Sequence, residues 1–132
     1  MADDDDDDCM LARDAFEESQ APGDFCCVQD GTELLDYLLC SGKYGEKAQT
    51  SLPTLIILDL NMPRTDGRQA LREIKSIPAL QNIPIVVLTT TSEEKDIAFS
   101  REMGANSFIT KPAEFEEWIE MMKSLAESWL VR

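Results

Sequence analysis

The chain contains no histidine. That absence excludes Ser–His and Cys–His nucleophile pairs and removes imidazole from metal binding. Positive charge is scarce as well: 12 lysines and arginines stand against 26 aspartates and glutamates, a net charge of −14. Such an excess repels phosphate backbones and anionic lipid, so neither nucleic acid nor a membrane surface is an expected partner. No apolar run approaches the roughly 18 residues of a membrane span, and the start "MADDDDDD" is unlike a signal peptide. Cysteine is limited to Cys9, Cys26, Cys27 and Cys40, with no C-x-x-C spacing. On that pattern zinc, thioredoxin-like and disulfide-framework readings are all weak, and reduced, buried thiols in a cytoplasmic protein are expected.

What remains is a chain of 132 residues with 43% hydrophobic content, enough for one domain with one core. "DDDDDDCMLARDAFEES" reads as an acidic helix start, with Met10, Leu11, Ala15 and Phe16 on one face. "FCCVQD" (25–30) reads as a short strand. "GTELLDYLLCSG" follows as a helix with Leu34, Leu35, Leu38 and Leu39 inward, and "SGKYGEKAQTSLP" as a long polar loop. "TLIILD" and "IPIVVLTTT" are continuous apolar runs, the pattern of strands buried on both faces of a parallel sheet. Between and after them come helices in "GRQALREIKSI" (Ala70, Leu71 and Ile74 inward) and "SEEKDIAFSREMGA", begun by Ser92 and closed by Gly104. "NSFITKP" is a short strand. "AEFEEWIEMMKSLAESWL" is a last helix packing through Phe115, Trp118, Ile119, Met122 and Leu125.

Alternating strands and helices with short links imply an α/β fold, an open parallel sheet covered on both faces. The site of such a fold lies outside the C-terminal strand ends. The polar residues falling there are Asp59, Thr89 and Lys111, together with the aspartates that open the first helix. A carboxylate ending a buried strand is costly unless something binds it, so Asp59 is the residue to explain.

These residues carry a resemblance to the response-regulator receiver domain, the phosphoacceptor half of two-component signalling. The acidic pair Asp3–Asp4, "LDLNMPRTDG" around Asp59, "LTT" at Thr89 and "ITKP" at Lys111 occur in the family's order. The intervals also agree, 30 residues from Asp59 to Thr89 and 22 from Thr89 to Lys111. The resemblance implies a flavodoxin-like, doubly wound, five-stranded parallel sheet, here with its first strand truncated or absent, because only Met1 and Ala2 precede Asp3. It implies a single receiver domain over residues 1–132, with no output domain and no enzymatic activity beyond slow self-dephosphorylation. Asp59 would take a phosphoryl group from a histidine kinase. Asp4, Asp59 and the backbone carbonyl of Asn61 would hold Mg2+ or Mn2+, with Asp3 acting through water. Thr89 and Lys111 would bind the phosphoryl group, Phe108 would be the switching aromatic, and Asn61 and Thr91 would tune phosphate lifetime.

The polar loop, "VVLTTTSEEKDI" and "ESWL" are similar to the single-domain regulators served by bacterial phytochrome kinases. That likeness implies a phytochrome-type sensor kinase as partner, an unidentified downstream protein, and homodimerisation through the last helix, with an exposed Trp129 as anchor. Two other functions stay open: a pseudo-receiver that binds without being phosphorylated, and an aspartyl-phosphate phosphatase of the haloacid-dehalogenase type. The phosphatase wants a carboxylate two residues beyond the nucleophile, where this chain has Asn61.

Overall fold

The structure is a computed structural model that describes residues 1–39, 53–60, 67–90 and 94–130. Asn61, Thr91, Ser92, Cys40 and nearly all of the polar loop lie outside the described residues. Two apolar runs form the centre of a parallel sheet, β1 (Ile56–Asp59) and β2 (Ile85–Thr89), with β3 (Ser107–Thr110) beyond β2. Ile57 lies opposite Val86 and Asp59 opposite Leu88, while Thr89 pairs with Thr110. Every residue of β1 and β2 is buried, as their unbroken hydrophobicity requires.

Helices cover both faces. On one side α1 (Asp6–Glu18) and α5 (Phe115–Leu125) pack with Ile57, Val86 and Leu88. On the other, α2 (Gly31–Leu39) and α3 (Gly67–Ser76) pack with Ile56, Leu58, Ile85 and Val87, and Phe99 of α4 (Glu94–Glu102) leans on the same core. This is the three-layer α/β arrangement expected. Alternating residues of one strand feed opposite cores.

Of the two expectations for the first strand, truncated or absent, the structure shows the truncated one. Residues 1–3 thread the sheet centre, and Ala2 bridges in parallel to both Val28 and Leu58. Ala2 N–H donates to Ile57 O at 2.8 Å and Asp59 N–H donates to Ala2 O at 3.0 Å. On the other edge Val28 N–H donates to Met1 O at 2.8 Å and Asp3 N–H to Val28 O at 3.0 Å. The order is therefore 25–28, 1–3, β1, β2, β3. The expected strand over 25–30 contracts to its pairing at Val28, because so short a neighbour offers little to pair with. Beside Met1 an apolar cavity of about 180 Å³ is lined by residues including Phe25, Leu34, Leu38, Leu55 and Met122.

Several packing stripes shift from their expected phase. In α1 the inward residues are Ala12 and Ala15, with Phe16 partly buried, whereas Met10 and Leu11 face solvent. Two alanines let α1 approach the sheet and α5 closely. In α2, Leu34 and Leu38 are buried and Leu39 is exposed; in α5, Met121 replaces Phe115 on the inner face. The chain after α5 continues as one π-helical turn, Ala126–Leu130. Trp129 there is half-buried against the α1–α5 core, not the exposed anchor expected. The cysteines also depart from expectation: Cys9 and Cys27 are joined in a disulfide, and Cys26 is free and exposed.

Candidate functional site

The three predicted strand-end residues arrive at one rim of the sheet because β1, β2 and β3 are parallel and in adjacent register. Asp59 ends β1 and is buried. Thr89 ends β2, fully buried, and its carbonyl accepts from Lys111 N–H at 2.7 Å, which fixes the residue just past β3. Lys111 then turns its side chain back toward Asp59, Nζ to Oδ2 3.2 Å. The acidic run supplies the remaining wall. Asp3 is fully buried, and its backbone N–H sits in the sheet while its Oδ1 accepts from Asp5 N–H at 2.9 Å. Asp5 caps α1 by accepting from Asp7 and Asp8 N–H, so the helix begins as the chain leaves the rim.

Three carboxylates, those of Asp3, Asp4 and Asp59, bring one oxygen each within 4.8 Å of the others. Like charges so close need a cation among them. Lys111 Nζ is one, 2.8 Å from Asp3 Oδ2 and 2.7 Å from Asp8 Oδ2. The contact with Asp3 is ionic without hydrogen-bond geometry, and that buried Oδ2 accepts no hydrogen bond. Three clustered carboxylates, with one buried oxygen held by an ion pair alone, fit a hard, oxygen-seeking divalent ion.

Burial raises the Asp3 carboxyl to about 6; Lys111 and the Asp5 amide oppose the rise, and the Asp59 charge adds to it. Burial alone would lower Lys111, but the Asp3 and Asp8 carboxylates outweigh it and raise the ammonium well above its ordinary value. Lys111 therefore stays protonated at any physiological pH.

Phe108 sits in the middle of β3, half-buried against the α2–α3 core and three residues from Lys111. Two site features escaped the sequence reading. Asp8, in the first turn of α1, is a direct partner of Lys111. Arg68 of α3 binds the buried Asp96 of α4 at 2.6 Å and reaches Leu60 O at 3.4 Å, tying both helix starts to the residue after Asp59. Helical phase would have marked Asp8 had the exact start of α1 been known; nothing in the sequence pairs Arg68 with Asp96.

A profile of the Response regulator receiver domain matches residues 1–123. The chain belongs to that family. It is 34% identical over 123 residues to Response regulator Rcp1 of Synechocystis sp., covering 93% of this chain and 82% of that one. Among solved structures, the phosphorylated cyanobacterial phytochrome response regulator RcpA superposes with a TM-score of 0.87 at 41% identity, covering 98% of this chain and 90% of that chain. The Mn(2+)-bound form of response regulator Rcp1 gives a TM-score of 0.82 at 33% identity, covering 94% and 87%. This receiver thus has the fold of the phytochrome-associated regulators. Among its described residues, no helix is long and apolar enough to cross a membrane.

Proposed function

We propose that this receiver domain accepts a phosphoryl group on Asp59 from the phosphohistidine of a sensor kinase, in the presence of Mg2+ or Mn2+, and thereby switches a protein-interaction surface. The observation that carries the reading is the convergence of Lys111 Nζ on Asp59, Asp3 and Asp8 across the ends of three chain segments. Asp4 and Asp59 would hold the divalent ion directly and Asp3 through water, and the Asn61 carbonyl would complete the set. When bound, the ion supplies positive charge to the phosphoryl oxygens and orients them.

An Asp59 carboxylate oxygen attacks phosphorus as the P–N bond to the kinase imidazole breaks; the imidazole nitrogen leaves with the bonding pair. Lys111 balances the charge spread over the phosphoryl oxygens, for which its ammonium must slacken its hold on Asp8. The Thr89 hydroxyl donates to the new phosphoryl group and draws the following loop inward, while Phe108 adjusts its burial, a local event biasing a two-state surface. Asn61 and Thr91 would tune water access to the acyl phosphate and hence its slow self-hydrolysis. Likeness to phytochrome regulators supports a phytochrome-type kinase as donor. The protein works as a cytoplasmic signalling module rather than an enzyme, handing the signal to a downstream protein.

Incubation with a small acyl phosphate and magnesium, followed by intact mass, tests this. The native chain gains one phosphoryl group and Asp59→Asn gains none. Undiminished labelling of Asp59→Asn would refute it.

A further inference from the structure

The disulfide lies at the back of the acidic site. Cys9 and Cys27 have Cα atoms 6.2 Å apart and join the first turns of α1 to the 25–28 edge of the sheet. Each sulfur also lies near a backbone carbonyl. Cys9 Sγ lies 3.6 Å from Asp3 O, and Cys27 Sγ lies 3.8 Å from Val28 O. Were the bond open, the two sulfurs would move apart, and each thiol would have a backbone carbonyl nearby as an acceptor. Those carbonyls belong to the pair whose ladder bond, Asp3 N–H to Val28 O, holds Asp3 in the sheet.

Asp8 immediately precedes Cys9, and its carboxylate is 2.7 Å from Lys111 Nζ. Two residues beyond Cys27, the Gln29 side-chain amide donates to Asp6. The opening turn of α1 is therefore gripped between the 27–29 segment and Lys111. A covalent bond at Cys9 pins that turn. With two thiols in its place, only non-covalent contacts hold it.

We propose that Cys9 and Cys27 form a reversible oxidation site whose state sets how readily Lys111 leaves Asp8 for an incoming phosphoryl group. The inference rests on the proposed role of Asp59 and Lys111. The oxidant is a small-molecule disulfide such as glutathione disulfide. One cysteine thiolate attacks it, forming a mixed disulfide and releasing one glutathione thiolate; the second cysteine thiolate then displaces the other glutathione. The protein's two thiols lose two protons and two electrons, and one glutathione disulfide becomes two glutathione thiols. Oxidation pins Asp8 on Lys111 and slows phosphoryl uptake; reduction frees it.

The test uses the full chain carrying Cys26→Ser and Cys40→Ser, so that only Cys9 and Cys27 remain. It is equilibrated with glutathione disulfide or with dithiothreitol, mapped by peptide mass, and then given acetyl phosphate and magnesium. Oxidised protein should yield a linked Cys9–Cys27 peptide and take up phosphoryl about fivefold more slowly than reduced protein, a fraction of the strength of the charge-assisted contact that oxidation retains. Adding either Cys9→Ser or Cys27→Ser should make uptake indifferent to redox state. Absence of the linked peptide, equal rates in the two forms, or redox dependence that survives both serine variants overturns the proposal. If neither form takes up phosphoryl, the assignment of Asp59 is what fails. Amide exchange over residues 3–9 then decides the redox site: slower exchange in the oxidised form supports it, and equal exchange overturns it.

Discussion

Replacing Lys111 by methionine keeps the length of the side chain and removes its charge. Three carboxylates lose their counter-charge at once, Asp3 fully buried, Asp59 4% exposed and Asp8 23% exposed. Removing one partner from a buried ion pair costs about 3–5 kcal/mol. The partial exposure of Asp8 and the freedom of Asp3 to take a proton place Lys111→Met at the lower end, about 3 kcal/mol at pH 7. For a domain of this size that is a fall of about 10 °C in Tm. The pH dependence is equally specific. The raised pKa of Asp3 means that the folded native chain holds a proton more tightly than the unfolded one, so stability already declines as pH rises from about 4 through about 6. Without the ammonium, Asp3 is pushed higher still and the decline continues above pH 6. The variant's deficit should therefore be small near pH 5 and large at pH 7, and saturating magnesium should recover more Tm in the variant than in the native chain. Thermal melts by circular dichroism at the two pH values, with and without magnesium, read all of this. A deficit under about 2 °C at pH 7, or one equal at pH 5 and 7, would refute the idea that Lys111 balances a buried cluster.

Three further outcomes follow from the geometry. Arg68→Ala leaves the buried Asp96 carboxylate without its guanidinium and should cost about 2 kcal/mol in urea unfolding. Gly104, just past α4, sits at φ +87°, and a Cβ there would meet the Lys75 side chain at ordinary distances, Cε nearest at 3.5 Å. Gly104→Ala should thus lower stability by the backbone strain alone, about 1 kcal/mol, and Gly104→Asn by less. Burial pushes the Met1 ammonium from 8.0 down to about 6, although it donates to Cys26 O at 2.7 Å. The unfolded chain therefore binds a proton that the folded chain sheds, and stability should rise between pH 6 and 8. Acetylation of the N-terminus, or a designed run of four apolar residues ahead of Met1 that fills the cavity beneath it, should flatten that slope in thermal melts.

The parts legible in the sequence were those governed by a single local pattern. Unbroken apolar runs identified β1 and β2, and a clean 3.6-residue period placed Ala70, Leu71 and Ile74 inward in α3, where all three are fully buried. The meeting of Asp59, Thr89 and Lys111 was legible because each stands at or just past a strand end, and a parallel sheet brings such ends together. What was not legible depended on tertiary context. The inner face of α1 is set by how near two alanines allow the helix to come, so hydrophobicity alone favoured Met10 and Leu11 wrongly. Six identical aspartates conceal which of them faces Lys111, since that choice is a matter of helix phase. The union of Cys9 with Cys27 joins a helix to a strand edge 18 residues on, a proximity no spacing rule encodes. The three-residue central strand was hidden for a related reason. Its propensity is negligible, and it exists because two backbone edges await it.

Ala2 gives this receiver an unusual dependency. Its carbonyl fixes the amide of Asp59, while the residues on either side of it hold Val28, so one small residue is both the seam of the sheet and the footing of the proposed acceptor carboxylate. With Asp59 in its proposed role, selection for a faster or slower acceptor would act on the same atoms as selection for a sturdier fold. Variants with altered turnover of the phosphoryl mark should therefore carry melting shifts with them, and the two traits should evolve as one.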